Sequence, residues 1–95
     1  MGYEKAMYSV IYKPEAKKDI LFHKKSGNKP LMQKLLTLLD ELREHPRTGT
    51  GKPEPLKHNL AGKWSRRISG EHRLIYTIED GTVKVVSVLS AKGHY

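Results

Sequence analysis

Apolar positions along this 95-residue chain follow a helical period first and a strand period later. Tyr8 to Tyr12 is a short β-branched and aromatic run and reads as a strand. Pro14 follows in a favoured first-turn position and opens a helix to about Lys25, with Ala16, Ile20 and Leu21 turned inward. Ser26, Gly27 and Asn28 break it, and Asn28 is suited to cap a second helix with Pro30 in its first turn. There Leu31, Leu35, Leu38 and Leu42 recur at spacings of four, three and four. Met32, Leu36 and Leu39 widen the stripe, the pattern of a helix laid against a core. Pro46 stops it.

Arg47 to Pro55 is a loop rich in Gly, Pro and Thr. The period then changes to two, and Leu56 to Leu60, Trp64 to Ile68, His72 to Ile78 and Val83 to Leu89 read as four strands. Ser69-Gly70 and Asp80-Gly81 supply turns. The last strand is apolar at nearly every position, which predicts a central place covered on both faces. The fold class expected is α+β in two layers: one strand, two helices and four strands, an antiparallel sheet with both helices on one face. Function would occupy the other face. Alternation predicts which side chains reach it. Leu74, Tyr76 and Ile78 should face the helices, with Trp64 and Ile68 beside them. Arg73, Ile75 and Thr77, and Ser65, Arg67 and Ser69, should point the opposite way.

Length and composition narrow the class. Residues 1–95 suffice for a single domain with one modest core, and residues 1–6 read as a polar lead-in that need not be ordered. Hydrophobic residues make up 37% and charged residues 29%. There is no cysteine, which excludes a disulfide framework and a thiolate metal site and fits a reducing cytoplasm. No run approaches the roughly 20 apolar residues of a membrane helix, and the N-terminus lacks the apolar core of a signal peptide. Net charge is +8, from 18 Lys and Arg against 10 Asp and Glu. It concentrates between Lys52 and Arg73, where Lys52, Lys57, Lys63, Arg66, Arg67 and Arg73 face only Glu54 and Glu71. A basic cluster of this kind suits a polyanion, either nucleic acid or an acidic protein segment.

Glu54 stands between Pro53 and Pro55, which restrict the backbone around it and hold its carboxylate on a stiff segment near Lys57. On its own this describes a solvated loop acid, and His94 a terminal histidine. Together the stretches GKPEPLKHNL (51–60), GKWSRRI (62–68) and EHRLIY (71–76), with the final His94-Tyr95, resemble the YoeB/Txe toxins of the wider RelE/ParE-like group. The likeness is dense over residues 51–76 and looser elsewhere. Gly93 stands where a bulkier residue is expected.

The resemblance implies a two-layer toxin fold and a metal-free, cofactor-free endoribonuclease that cuts messenger RNA in the ribosomal A site. It implies Glu54 as general base, Lys57, Arg67 and Arg73 as basic residues around the scissile phosphate, His94 as general acid and Tyr95 as a lining residue. These residue types suit cleavage by the RNA's own 2′-hydroxyl. That reaction needs a base for the 2′ proton, positive charge for the phosphorane and an acid for the leaving 5′-oxygen. Implied partners are the ribosome with its message and a cognate YefM/Axe-like antitoxin with an acidic segment, with no membrane and with homodimerisation left open. Two other readings remain. A ParE-like gyrase inhibitor would need no Glu, Arg and His constellation. A non-enzymatic RNA-binding module would expose aromatics on the open sheet face, whereas Trp64 and Tyr76 fall on the core face. His45, His58 and His72 lack metal-ligand spacing, and Gly49 to Lys52 lacks the spacing of a phosphate loop.

Overall fold

The computed structural model describes residues 7–93. The expectations for residues 1–6, His94 and Tyr95 therefore lie outside the described residues. Strand β1 (Ser9–Tyr12) leads into helix α1 (Pro14–Ser26) and helix α2 (Lys29–Glu41), then β2 (Glu54–Pro55), β3 (Trp64–Arg67), β4 (Arg73–Asp80) and β5 (Lys84–Ser90). The sheet order is β1-β5-β4-β3-β2.

The helices start where the sequence says they should. Pro14 and Pro30 occupy first-turn positions, and the Asn28 side chain accepts from the Leu31 N–H at 3.1 Å. Past Glu41, hydrogen-bonded turns carry α2's end to His45, just before Pro46, which has no N–H to continue them. One core joins the layers. Ala16 of α1 and Leu35, Leu38, Leu39 and Leu42 of α2 or its end meet Leu74, Tyr76, Val86 and Val88 of β4 and β5. Both helices thus cover one face.

Several expectations need correction. The sheet is mixed, not antiparallel, because β1 runs parallel to β5. A hairpin dictates an antiparallel neighbour, but most of the chain separates β1 from β5, so no turn constrains their sense. The predicted strand Leu56–Leu60 is absent. Pairing ends at Pro55, and His58–Leu60 form a 3-10 turn that reverses the chain so that Leu56 N–H reaches Lys63 O at 2.8 Å. Strand β5 is interior, with Val86 and Val88 fully buried, but Val85 and Leu89 are only half-buried because the helices cover one face. Leu36 is exposed, and so is Leu21. In α1 the buried positions are Ala16, Asp19 and His23: the inward stripe runs through polar residues, for a reason found at the chain's other end.

Candidate functional site

The open face is built by β2, β3 and the start of β4. Glu54 pairs with Ser65, Ser65 with Ile75 and Arg67 with Arg73. Directly opposed residues point to the same side of a sheet, so Glu54, Ser65, Arg67 and Arg73 share one face. The alternation expected for β3 and β4 holds because their pairing is regular. The irregularity lies instead between β4 and β5, at Ile75/Tyr76.

The Arg73 guanidinium lies 3.7 Å from the Glu54 carboxylate, and its Nη1 donates to Ser65 Oγ at 3.4 Å. Arg73 is largely enclosed while Glu54 is open to solvent. Glu54 and Lys57 line one shallow hollow of about 350 Å³. Arg67 is exposed beside Arg73. Glu54, Arg67 and Arg73 thus come together with Lys57 at their margin. His94 and Tyr95 lie beyond the described residues, but Gly93 brings the chain to the site: its carbonyl accepts from the Arg73 backbone N–H at 3.0 Å. Gly93 has φ +73, a left-handed conformation natural to glycine.

The loop carrying Glu54 is held from below by Arg66. This residue belongs to the basic cluster in sequence but not in space, since its side chain is completely buried. Its Nε donates to Tyr76 Oη at 3.2 Å and its Nη1 to Glu41 at 2.7 Å. Its other hydrogen bonds go to the carbonyls of His45, Thr48 and Thr50. Glu41 in turn accepts from the Thr50 N–H and hydroxyl. Burial alone would push the Glu41 carboxyl up, but the Thr50 bonds and the Arg66 cation outweigh it and hold the carboxyl below its ordinary value. Gly51 has φ +84, and a Cβ there would sit 2.9 Å from the Arg67 carbonyl. The Gly51 carbonyl receives the Arg67 N–H at 2.6 Å, which continues the strand edge toward Pro53.

In the sequence Arg66 counts only toward the basic cluster, and its alternation with Trp64 and Ile68 already places it on the core face, where it is buried. The sequence weighs His72 only as a metal ligand and marks no role for Asp19 or His23, because the partners of all three are backbone groups of the tail. Among the described residues, no group of three or more His, Asp or Glu is arranged to hold a metal ion, and no helix is long and apolar enough to cross a membrane.

Comparison with known proteins gives the family and agrees with the fold. Residues 12–95 match the family described as YoeB-like toxin of bacterial type II toxin-antitoxin system. The toxin YoeB of Escherichia coli K12 is 41% identical over 78 residues, 82% of this chain and 92% of that one. The toxin RelK of Mycobacterium tuberculosis is 42% identical over 89 residues, 94% of this chain and 100% of that one. Among solved structures, a YoeB/ParE toxin from Agrobacterium tumefaciens superposes with TM-score 0.82 at 31% identity, over 92% of this chain and 99% of that one. A YoeB dimer and a YoeB–YefM complex from Staphylococcus aureus superpose with TM-scores of 0.76 and 0.74 at 37% and 38% identity, each over 95% of this chain and 100% of that one.

Proposed function

Because this chain belongs to the YoeB-like toxins of bacterial type II toxin–antitoxin systems, we propose that it is a metal-independent endoribonuclease that cuts messenger RNA in the ribosomal A site. The observation that carries this reading is the Glu54 carboxylate 3.7 Å from the Arg73 guanidinium, with Arg67 directly opposite Arg73 on the face free of helices. Glu54 takes the proton of the RNA 2′-hydroxyl. The 2′-oxygen forms a bond to the adjacent phosphorus as the bond to the 5′-oxygen breaks. Arg73 and Arg67 hold the phosphoryl oxygens, where fork geometry matches two acceptors at once, and Lys57 adds a point charge. His94 gives a proton to the departing 5′-oxygen, a task imidazole suits near neutral pH, and Tyr95 lines the site. The products are a 2′,3′-cyclic phosphate and a 5′-hydroxyl.

A YefM/Axe-like antitoxin would neutralise the toxin by laying an acidic segment on the basic face. The likeness to the staphylococcal YoeB–YefM complex supports this, and the net charge of +8 favours such a partner. Homodimerisation, as in the staphylococcal dimer, belongs to the same reading. The action falls in the cytoplasm, where the ribosomes are.

The test is to incubate programmed ribosomes with the protein and map RNA ends. Cleavage in the A site is expected to leave a 2′,3′-cyclic phosphate and a 5′-hydroxyl, and to be abolished by 2′-O-methylation at the cut position. Cutting of the methylated message, or ends that carry a 5′-phosphate, would point to water as nucleophile. Intact message would remove the ribonuclease reading.

A further inference from the structure

We propose that Asp19, His23 and His72 form a clamp that positions the chain end at Arg73, and that all three are positioning residues for RNA cleavage. The proposal rests on the ribonuclease reading above. After Ser90 the chain leaves β5, yet its next residues are held from three sides. The Ala91 N–H donates to Asp19 Oδ2 at 2.9 Å. His23 Nε2 lies 2.6 Å from the Ala91 carbonyl oxygen. A carbonyl only accepts, so Nε2 carries the proton. The Gly93 N–H donates to His72 Nδ1 at 2.9 Å, so that nitrogen presents its lone pair. The Gly93 carbonyl then accepts from the Arg73 N–H at 3.0 Å. The rings of His23 and His72 meet edge to face, with centroids 4.6 Å apart, which links the helix half of the clamp to the strand half.

This arrangement does more than close the fold. Asp19 and His23 are 4% and 2% exposed, and burying such groups costs free energy unless each is matched to a partner. Apolar side chains at these positions would cover the sheet end without that cost. What they could not do is fix the tail's backbone in one place and register. The fixed point is Gly93, bonded to the backbone of Arg73 and followed directly by His94. An acid delivered to a leaving oxygen needs placement to within about 1 Å, and an error of that size can cost on the order of 10²-fold in rate.

His72 gives the cleanest test, because it is only half-buried and its ring and its acceptor can be separated. His72→Phe keeps a ring against His23 but removes the acceptor for Gly93. His72→Asn keeps an acceptor near the Nδ1 position but loses the ring. Cleavage on programmed ribosomes should fall about 10-fold to 100-fold in kcat for H72F with KM little changed, and recover toward wild type in H72N. Melting temperature should follow ring packing instead, with H72N the less stable of the two. Amide exchange at Gly93 should quicken in H72F. In a chain ending at Gly93, H72F should cost less than about twofold, because a clamp that acts through the last two residues has nothing left to place. Wild-type cleavage by H72F, or a penalty that persists undiminished in the shortened chain, would overturn the clamp. A wild-type protein that leaves the message intact would overturn the ribonuclease reading instead, and Gly93 exchange would still report on the clamp.

Discussion

At Arg73 a single guanidinium meets a carboxylate, a hydroxyl and, through its backbone, the tail. Its main chain is fixed on both sides, by β3 and by Gly93. The side chain can therefore be removed without unthreading the strand. Arg73→Ala should slow cleavage by roughly 10²–10³-fold, the usual loss for one transition-state charge partner, while the melting temperature moves by only a few degrees. A variant as active as wild type would remove Arg73 from the mechanism. Glu41 makes a different residue-scale prediction. Its carboxyl is held below its ordinary value in the folded state. The stability this contributes is fully present above the ordinary carboxylate range and is lost as pH falls through the lowered folded value. Glu41→Gln should therefore lower the melting temperature at neutral pH and flatten its decline into acid. Parallel melting curves for the two proteins from pH 7 to pH 3 would assign the acid sensitivity to other carboxylates.

Among the elements, α1 shows where the sequence was legible and where it was not. Its start at Pro14 and its inward Ala16 were readable, because a first-turn proline and an apolar stripe are local signals. Its inward Asp19 and His23 were not, since what they bind is the backbone at Ala91, and backbone has no signature in a hydropathy pattern. Arg67 and Arg73 were placed correctly by alternation, and the same rule, applied one residue earlier, would have put Arg66 inside. Glu54's extended setting was readable from its two prolines. The way Arg66 and Glu41 seat the loop before it was not, because that contact joins residues far apart in the chain. The tail is the element on which a prediction turns. Among the described residues the bonds that hold it lie at or before Gly93, and a chain ending at Gly93 keeps these. It should melt within a few degrees of the full chain, while cleavage falls by two orders of magnitude or more, in line with removing a positioned acid. Retained cleavage would refute the role given to His94. A collapsed melting transition would show that the last two residues hold the fold.

Across the whole molecule, charge is divided between the two layers. The helices carry exposed lysines, among them Lys17, Lys18, Lys24 and Lys25, and the open sheet face carries Arg67 and Arg73 around Glu54. Net charge draws in a polyanion from a distance regardless of where each cation sits. Contact with a phosphate is local, and it releases counterions, so it is visible in the salt dependence of binding. The two contributions can be separated with a short single-stranded RNA, 2′-O-methylated at the cut position so that it binds without being cleaved. Arg67→Gln and Lys18→Gln each remove one positive charge, the first from the open face and the second from the helix layer. Both should weaken binding at low salt. Only Arg67→Gln should make the plot of log affinity against log salt shallower, by about 0.7 for one lost phosphate contact on a single strand. Fluorescence anisotropy over a salt series reads both slopes. An unchanged slope for Arg67→Gln would take this arginine off the RNA. Equal losses of slope in the two variants would mean that RNA runs over the helices as well as the sheet, and the open face would lose its claim to be the single binding surface.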